Sequence, residues 1–213
     1  FARMCALRRD HLAGLRSLPL TWKRVGVRPN NYPERRLSGA ARFLARTSRE
    51  GVWKSLETIW RSSANVKARL AEFEELFPQA MGFWAEHCTW TGKRLTKPIA
   101  TLGAARMHSI IGNVFLPAAL AVARRERDRA LEEAALEFFA QMPKESENHI
   151  VARMLPRVFG GAPPKKVDFR LQQGLLQIYQ DWCEPNPSCR NCPIIGNLDP
   201  DGIAKMQHIG QCK

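Results

Sequence analysis

The chain has 213 residues, 45% of them hydrophobic and 25% charged, and a formal net charge of +13 at pH 7. That hydrophobic share supports a buried core and excludes an intrinsically disordered chain, and the length suits one domain or two small ones. The best apolar stretch, Ile110 to Val122, is shorter than the roughly 20 residues that span a bilayer and is interrupted by Asn113 and Pro117, so no membrane anchor is expected.

In chain order, the first helix is expected within residues 2–18, where Leu7, Leu12, Leu15 and Leu18 keep helical spacing up to Pro19. Arg28-Pro29-Asn30-Asn31-Tyr32-Pro33 reads as extended, because each proline biases its predecessor away from the helical region. Pro33 then suits the first turn of a helix running to about Thr47. Its apolar face is Leu37, Ala40, Ala41 and Leu44, while Arg35, Arg42, Arg46 and Arg49 line another side. Residues 52–62 and 64–77 form two more helices, and Gln79 to Cys88 a short one, with Trp53, Trp60 and Trp84 placed in the core. Thr89 to Thr101 is a basic loop. Ala104 to Arg125 is the strongest helix, with a kink at Pro117, and Asn113 is placed to serve the carbonyl region that Pro117 frees. Ala130 to Gln141 and Glu145 to Leu155 follow as helices, then a Gly/Pro linker at 160–166 and a helix over Gln172 to Gln180 with Leu171, Leu175, Ile178 and Trp182 on one stripe. With no internal repeat and no strand pattern, the expected class is all-α. The architecture expected is an irregular multi-helix bundle ending in a cysteine-bearing loop. Residues 1–159 make the helical domain with a basic N-terminal region; residues 160–213 supply linker, helix and Cys-rich loop, packed on the same core.

That loop gathers Cys183, Cys189 and Cys192 within ten residues that also hold Pro185 and Pro187, with Pro193 directly after them. Thiols this close point to a metal, either tetrahedral zinc or an iron–sulfur cluster, and both want four ligands. Cys212 is the favoured fourth, ahead of His208, His87 or Cys88. Reduced structural cysteines, or a disulfide with one thiol left over, are the other reading. The loop is similar to the cluster loop of the endonuclease III and adenine glycosylase family. Its first gap is one residue short, however, no cysteine follows in Ile194 to Leu198, and that family's helix–hairpin–helix is not recognisable, so a glycosylase is not expected.

Six cysteines at irregular spacing, without a secretory segment, fit a reducing cytoplasm. The start at Phe1 suggests that an upstream region exists. Residues 1–50 hold twelve Lys/Arg against three acidic residues, and all but one of the twelve are arginine. Guanidinium forks bind phosphate oxygens bidentately, which makes nucleic acid the expected partner; the competing reading is a solvated face or the complement of an acidic protein.

Several separated blocks share one pattern. They are Trp22 through Arg28-Pro29-Asn30-Asn31-Tyr32-Pro33 to Arg36-Leu37, Trp84-Ala85-Glu86-His87, Leu102-Gly103 with Asn113-Val114-Phe115-Leu116-Pro117, Asn148-His149-Ile150, and Gln173-Gly174-Leu175-Leu176 with the thiol loop. In this order they resemble a bacterial family known as domain of unknown function 2851, over about residues 20–198. The resemblance implies the C-terminal helical half of such proteins, whose N-terminal half looks like a PD-(D/E)XK nuclease core. The acidic motifs of that core do not occur in this chain, so no catalytic residue is expected here. The resemblance draws attention to Arg28, Asn31, Arg36, Trp84, His87, Asn113 and Asn148. Contacts to nucleic acid are expected from Arg28, Asn31, Arg35, Arg36 and Arg42, and metal ligation from Cys183, Cys189, Cys192 and Cys212. The expected function is thus the nucleic-acid-binding, metal-stabilised half of a nuclease-like protein, against a structural or protein-interaction module.

Overall fold

The computed structural model describes residues 21–22, 25–62, 64–77, 81–146, 148–159, 164–185 and 192. Among them every regular element is helical, as expected. A 3-10 turn, Pro29–Asn31, leads into α1 (Pro33–Thr47), α2 (Val52–Trp60), α3 (Val66–Glu75) and the single-turn α4 (Phe83–Glu86). After an irregular segment come the long α5 (Ala104–Glu126), α6 (Arg129–Gln141), α7 (His149–Phe159) and α8 (Phe169–Ile178), the last extended by a π-turn, Tyr179–Cys183. The helix expected within 2–18 and most of the Gly/Pro linker lie outside the described residues.

Helix starts follow local chemistry. Pro33 opens α1, and the side chains of Asn65, Asp128 and Asp168 accept from the backbone N–H of Ala68, Leu131 and Leu171, capping α3, α6 and α8. Arg127, left-handed at φ 56°, ends α5 and turns the chain into α6. Arg61 at the end of α2 reaches Asp128 at 2.7 Å, tying a second helix to that turn. The Leu131 N–H, then the Arg61 guanidinium, hold the Asp128 carboxyl below its ordinary pKa.

The core is aromatic. Trp60 meets Phe73 at 4.8 Å and the edge of Phe138 at 5.1 Å between ring centres, joining α2, α3 and α6. Phe43, Phe77 and Phe115 stack beside them. Of the three tryptophans expected inside, Trp60 is fully buried, whereas Trp53 and Trp84 are only half-buried. Trp53 sits in the first turn of α2, at the margin of the core, and Trp84 rides on the one-turn α4, edge-on to Trp90.

The irregularity expected at Pro117 takes the form of a π-turn, Ile111–Phe115, directly before it; the Leu116 N–H bonds the Ile111 carbonyl. Asn113 does not serve the freed carbonyl. Its Nδ2 donates instead one turn back to the Ser109 carbonyl at 3.0 Å and across to Glu145 Oε1 at 2.8 Å, which uses both of its N–H groups. Within the π-turn Gly112 lies against α8, where a β-carbon would stand 2.6 Å from Cζ of Phe169. By length and composition α5, at 23 residues, could cross a membrane, contrary to the expectation from Ile110 to Val122 alone. Ile111, Phe115, Leu116, Ala119 and Ala123 nonetheless pack one face of it into the aromatic core. A second cluster, built on Val151, Met154 and Leu175, joins α7 to α8 and extends to Cys183.

Candidate functional site

Arg35 organises the first half of the chain. It is fully buried, and its guanidinium donates through Nη1 to the carbonyls of Trp84 (2.7 Å) and His87 (2.9 Å) and through Nη2 to those of Ile99 (3.1 Å) and Ala100 (2.8 Å). A planar fork of N–H donors suits such convergent carbonyls, and the bonds pin both ends of the segment 84–100 to α1. Arg35 therefore cannot contact nucleic acid, contrary to expectation. Arg42, two turns later on the same stripe, donates to the Met81 carbonyl at 2.7 Å. Part of the arginine side of α1 is thus covered by the 81–100 segment, whose carbonyls take its donors.

The next arginine, Arg36, faces the other way. A cleft of about 530 Å³ opens there, with Arg28, Asn31, Arg36, Arg106, Ser109 and Glu145 in its walls. Arg36 Nη2 donates to Asn31 Oδ1 at 2.7 Å, which fixes the guanidinium against the proline turn. Burial first, and then the neighbouring charge of Arg106, hold the Arg36 pKa below its ordinary value. The floor includes Gly103, the N-cap of α5, which has no side-chain cap. Ala105 and Arg106 of the first turn also line the cleft, so the positive end of a long helix lies at a space already ringed by guanidiniums. One carboxylate, Glu145, opposes three arginines, and it is itself engaged by Asn113. Such a lining attracts an oxyanion, and an anion between Arg36 and Arg106 would relieve their repulsion.

Three residues expected from the sequence, Arg28, Asn31 and Arg36, therefore come together. Arg106 was missed, although a signal existed: it lies in the first turn of α5, where no acidic residue occurs and the helix dipole disfavours a cation.

On the opposite flank of α1 runs a shallow groove of about 430 Å³, lined by Leu37, Ala41, Arg42, Trp84 and Trp90. His87 beside it stacks on Phe83 at 4.1 Å, and its Nδ1 lies 3.0 Å from the Phe83 carbonyl, the bonding of a structural histidine. Asn148 accepts from the Ile150 N–H at 2.8 Å and starts α7.

Cys183 closes the π-turn after α8, packed on the second cluster, and Cys192 is half-buried. Cys189 and Cys212 lie outside the described residues. Among the described residues no three His, Cys, Asp or Glu side chains gather as a metal site.

No curated protein and no solved structure matches the chain. The family match ends at residue 148, short of the residue 198 to which the sequence blocks extend, but it spans α1 to α6 and the whole cleft. Residues 9–148 match the family described as Protein of unknown function (DUF2851), and the chain belongs to that family.

Proposed function

We propose that this chain binds nucleic acid and that the cleft at the start of α5 takes a backbone phosphate. The observation that carries the reading is the convergence of Arg28, Arg36 and Arg106 on a helix start with no side-chain cap. Guanidinium forks match phosphate oxygens in pairs, and helix amides add donors without a counter-charge. The net charge of +13 supplies long-range attraction to a polyanion. The cleft is a binding site; strand cleavage would belong to a PD-(D/E)XK-like N-terminal half in the same protein, in the cytoplasm.

The test is salt-dependent binding to labelled duplex and single-stranded oligonucleotides. Replacing Arg28, Arg36 and Arg106 together by Gln is expected to weaken binding at low salt and to lower the slope of log affinity against log salt by about 1 to 2, roughly one unit for each phosphate no longer neutralised. A wild-type chain with no salt-dependent binding at low ionic strength sinks the reading and favours the protein-interaction module.

The thiol loop supports a separate proposal, that Cys183, Cys189, Cys192 and Cys212 hold zinc or an iron–sulfur cluster. Its support is that α8 ends by seating Cys183 on a packed cluster, so the first ligand has a firm base. Elemental analysis of the purified chain should find about one zinc per chain, or iron with visible charge-transfer absorbance, and Cys189→Ser should remove it. Metal-free protein that folds normally excludes this.

A further inference from the structure

Besides its cleft, the described surface carries an aromatic feature that the core does not use. Phe83, Trp84, His87 and Trp90 crowd together beside α1: Trp90 lies 4.6 Å from Trp84 and 5.5 Å from Phe83 between ring centres. Trp90 is nevertheless 54% exposed, and Leu37, facing it across the groove, is 55% exposed. Large apolar side chains left open in one groove mark a binding surface rather than a packing fault.

The groove is mounted rigidly. The Leu95 N–H bonds the Glu86 carbonyl at 2.7 Å, the Ile99 N–H bonds the Ala85 carbonyl at 2.9 Å, and Arg35 holds the carbonyls of Trp84 and His87 from below. Arg94 pairs with Glu86 at 2.6 Å on the outside. The segment that carries the rings is pinned at both ends, and Trp90 packs on Trp84 and Phe83, which lowers the entropy lost when a ligand lands there.

Its position relative to the cleft identifies the occupant. Arg36 lines the cleft and the next residue, Leu37, lines the groove, so the two sites flank one helix about 10 Å across. The other two carbonyls held by Arg35 belong to Ile99 and Ala100, and Ala100 lies in the cleft wall. One buried side chain therefore sets the spacing of an aromatic groove and a cationic cleft. An apolar peptide would use the groove alone, whereas a chain of phosphates and bases matches both sites at once. A base can present its face to tryptophan only when it is unpaired.

Resting on the nucleic-acid reading, we propose that Leu37, Trp84 and Trp90 form a stacking groove for an unpaired nucleobase, which makes single-stranded nucleic acid the ligand class.

The experiment compares fluorescence anisotropy of a labelled single strand, a duplex of equal length, and a single strand carrying abasic sites. Wild-type protein should prefer the intact single strand to the duplex by about tenfold. Trp90→Ala should lose about tenfold on the intact strand and little on the duplex or the abasic strand, while Trp90→Phe keeps most of the affinity. Leu37→Glu, at an equally exposed position, provides a second disruption, and thermal melts check that both variants stay folded. If Trp90→Ala and Leu37→Glu leave single-strand binding unchanged, or lower abasic binding equally, the stacking groove is overturned. In that case a loss of binding in the triple arginine variant would show the cleft reading to stand alone. Absence of all salt-dependent binding overturns both readings. A concentration-dependent dimer that Trp90→Ala dissolves in sedimentation would reassign the groove to self-association.

Discussion

Arg35→Ala is expected to lower the unfolding free energy by about 4 kcal/mol, because each carbonyl stripped of its donor costs roughly 1–3 kcal/mol where water cannot replace it. Four carbonyls, on Trp84, His87, Ile99 and Ala100, lose their donors together. The total stays below the simple sum because the 84–100 segment can loosen and admit water. For a chain of this size that corresponds to a fall in Tm of roughly 10 °C. Arg35→Lys should recover less than half, since a single ammonium cannot span donors that the guanidinium fork sends to two ends of a segment. Thermal and urea unfolding measure both. On the proposed nucleic-acid reading, the same variants should also weaken that binding, because Arg35 positions the cleft wall and the groove without touching a ligand. An Arg35→Ala protein that melts within about 2 °C of wild type would show that the buried fork contributes little.

The second large effect is a pair of substitutions with opposite signs. Glycine inside a helix ordinarily costs roughly 0.5–1 kcal/mol relative to alanine through backbone entropy, so Gly→Ala should stabilise wherever space allows. At Gly174 in α8 a β-carbon meets nothing within 4 Å, and Gly174→Ala should stabilise by about that amount. At Gly112 the new β-carbon would stand 2.6 Å from Cζ and 2.9 Å from Cε2 of Phe169, and 3.0 Å from Cε of Met142. Phe169 is 1% exposed and Met142 is 1% exposed, so neither has room to withdraw. Overpacking of a closed core costs about 1–3 kcal/mol, which outweighs the entropic gain, and Gly112→Ala should destabilise. Denaturant midpoints for the two variants test it directly; a stabilised Gly112→Ala would mean that α8 is not seated on the π-turn as described.

Much of the secondary structure was legible because its causes are local. Pro33, Asn65, Asp128 and Asp168 sit at helix starts where an absent N–H or a short acceptor side chain favours them. The apolar period of α2 led directly to Trp60, which is fully buried at the centre of the core, and the all-α class followed from the helical periods along the chain. Arg28, Asn31 and Arg36 were also within reach, since they lie within nine residues around one proline turn. The remainder depended on which neighbour covers which face. Arg35 and Arg36 are adjacent and chemically identical, yet a rotation of about 100° along the helix sends one to buried carbonyls and the other to the cleft. No local period encodes that choice, because the carbonyls belong to an irregular segment some 50 to 65 residues later. Arg106 and Glu145 reach the cleft through the packing of α5 and of the chain beyond α6, and Gly112 matters only because Phe169 lands on it. The sequence by itself determined that the chain is helical and roughly where its helices lie, since those preferences act within a few residues. It misplaced the inward face of α1, where Leu37, Ala40, Ala41 and Leu44 are exposed and Arg35, Gly39 and Thr47 are buried, and it set α7 at Glu145 to Leu155 rather than His149–Phe159. The tertiary structure alone decided which charges are buried, which converge and which aromatic rings stay open, because burial and electrostatic repulsion depend on how distant segments pack together.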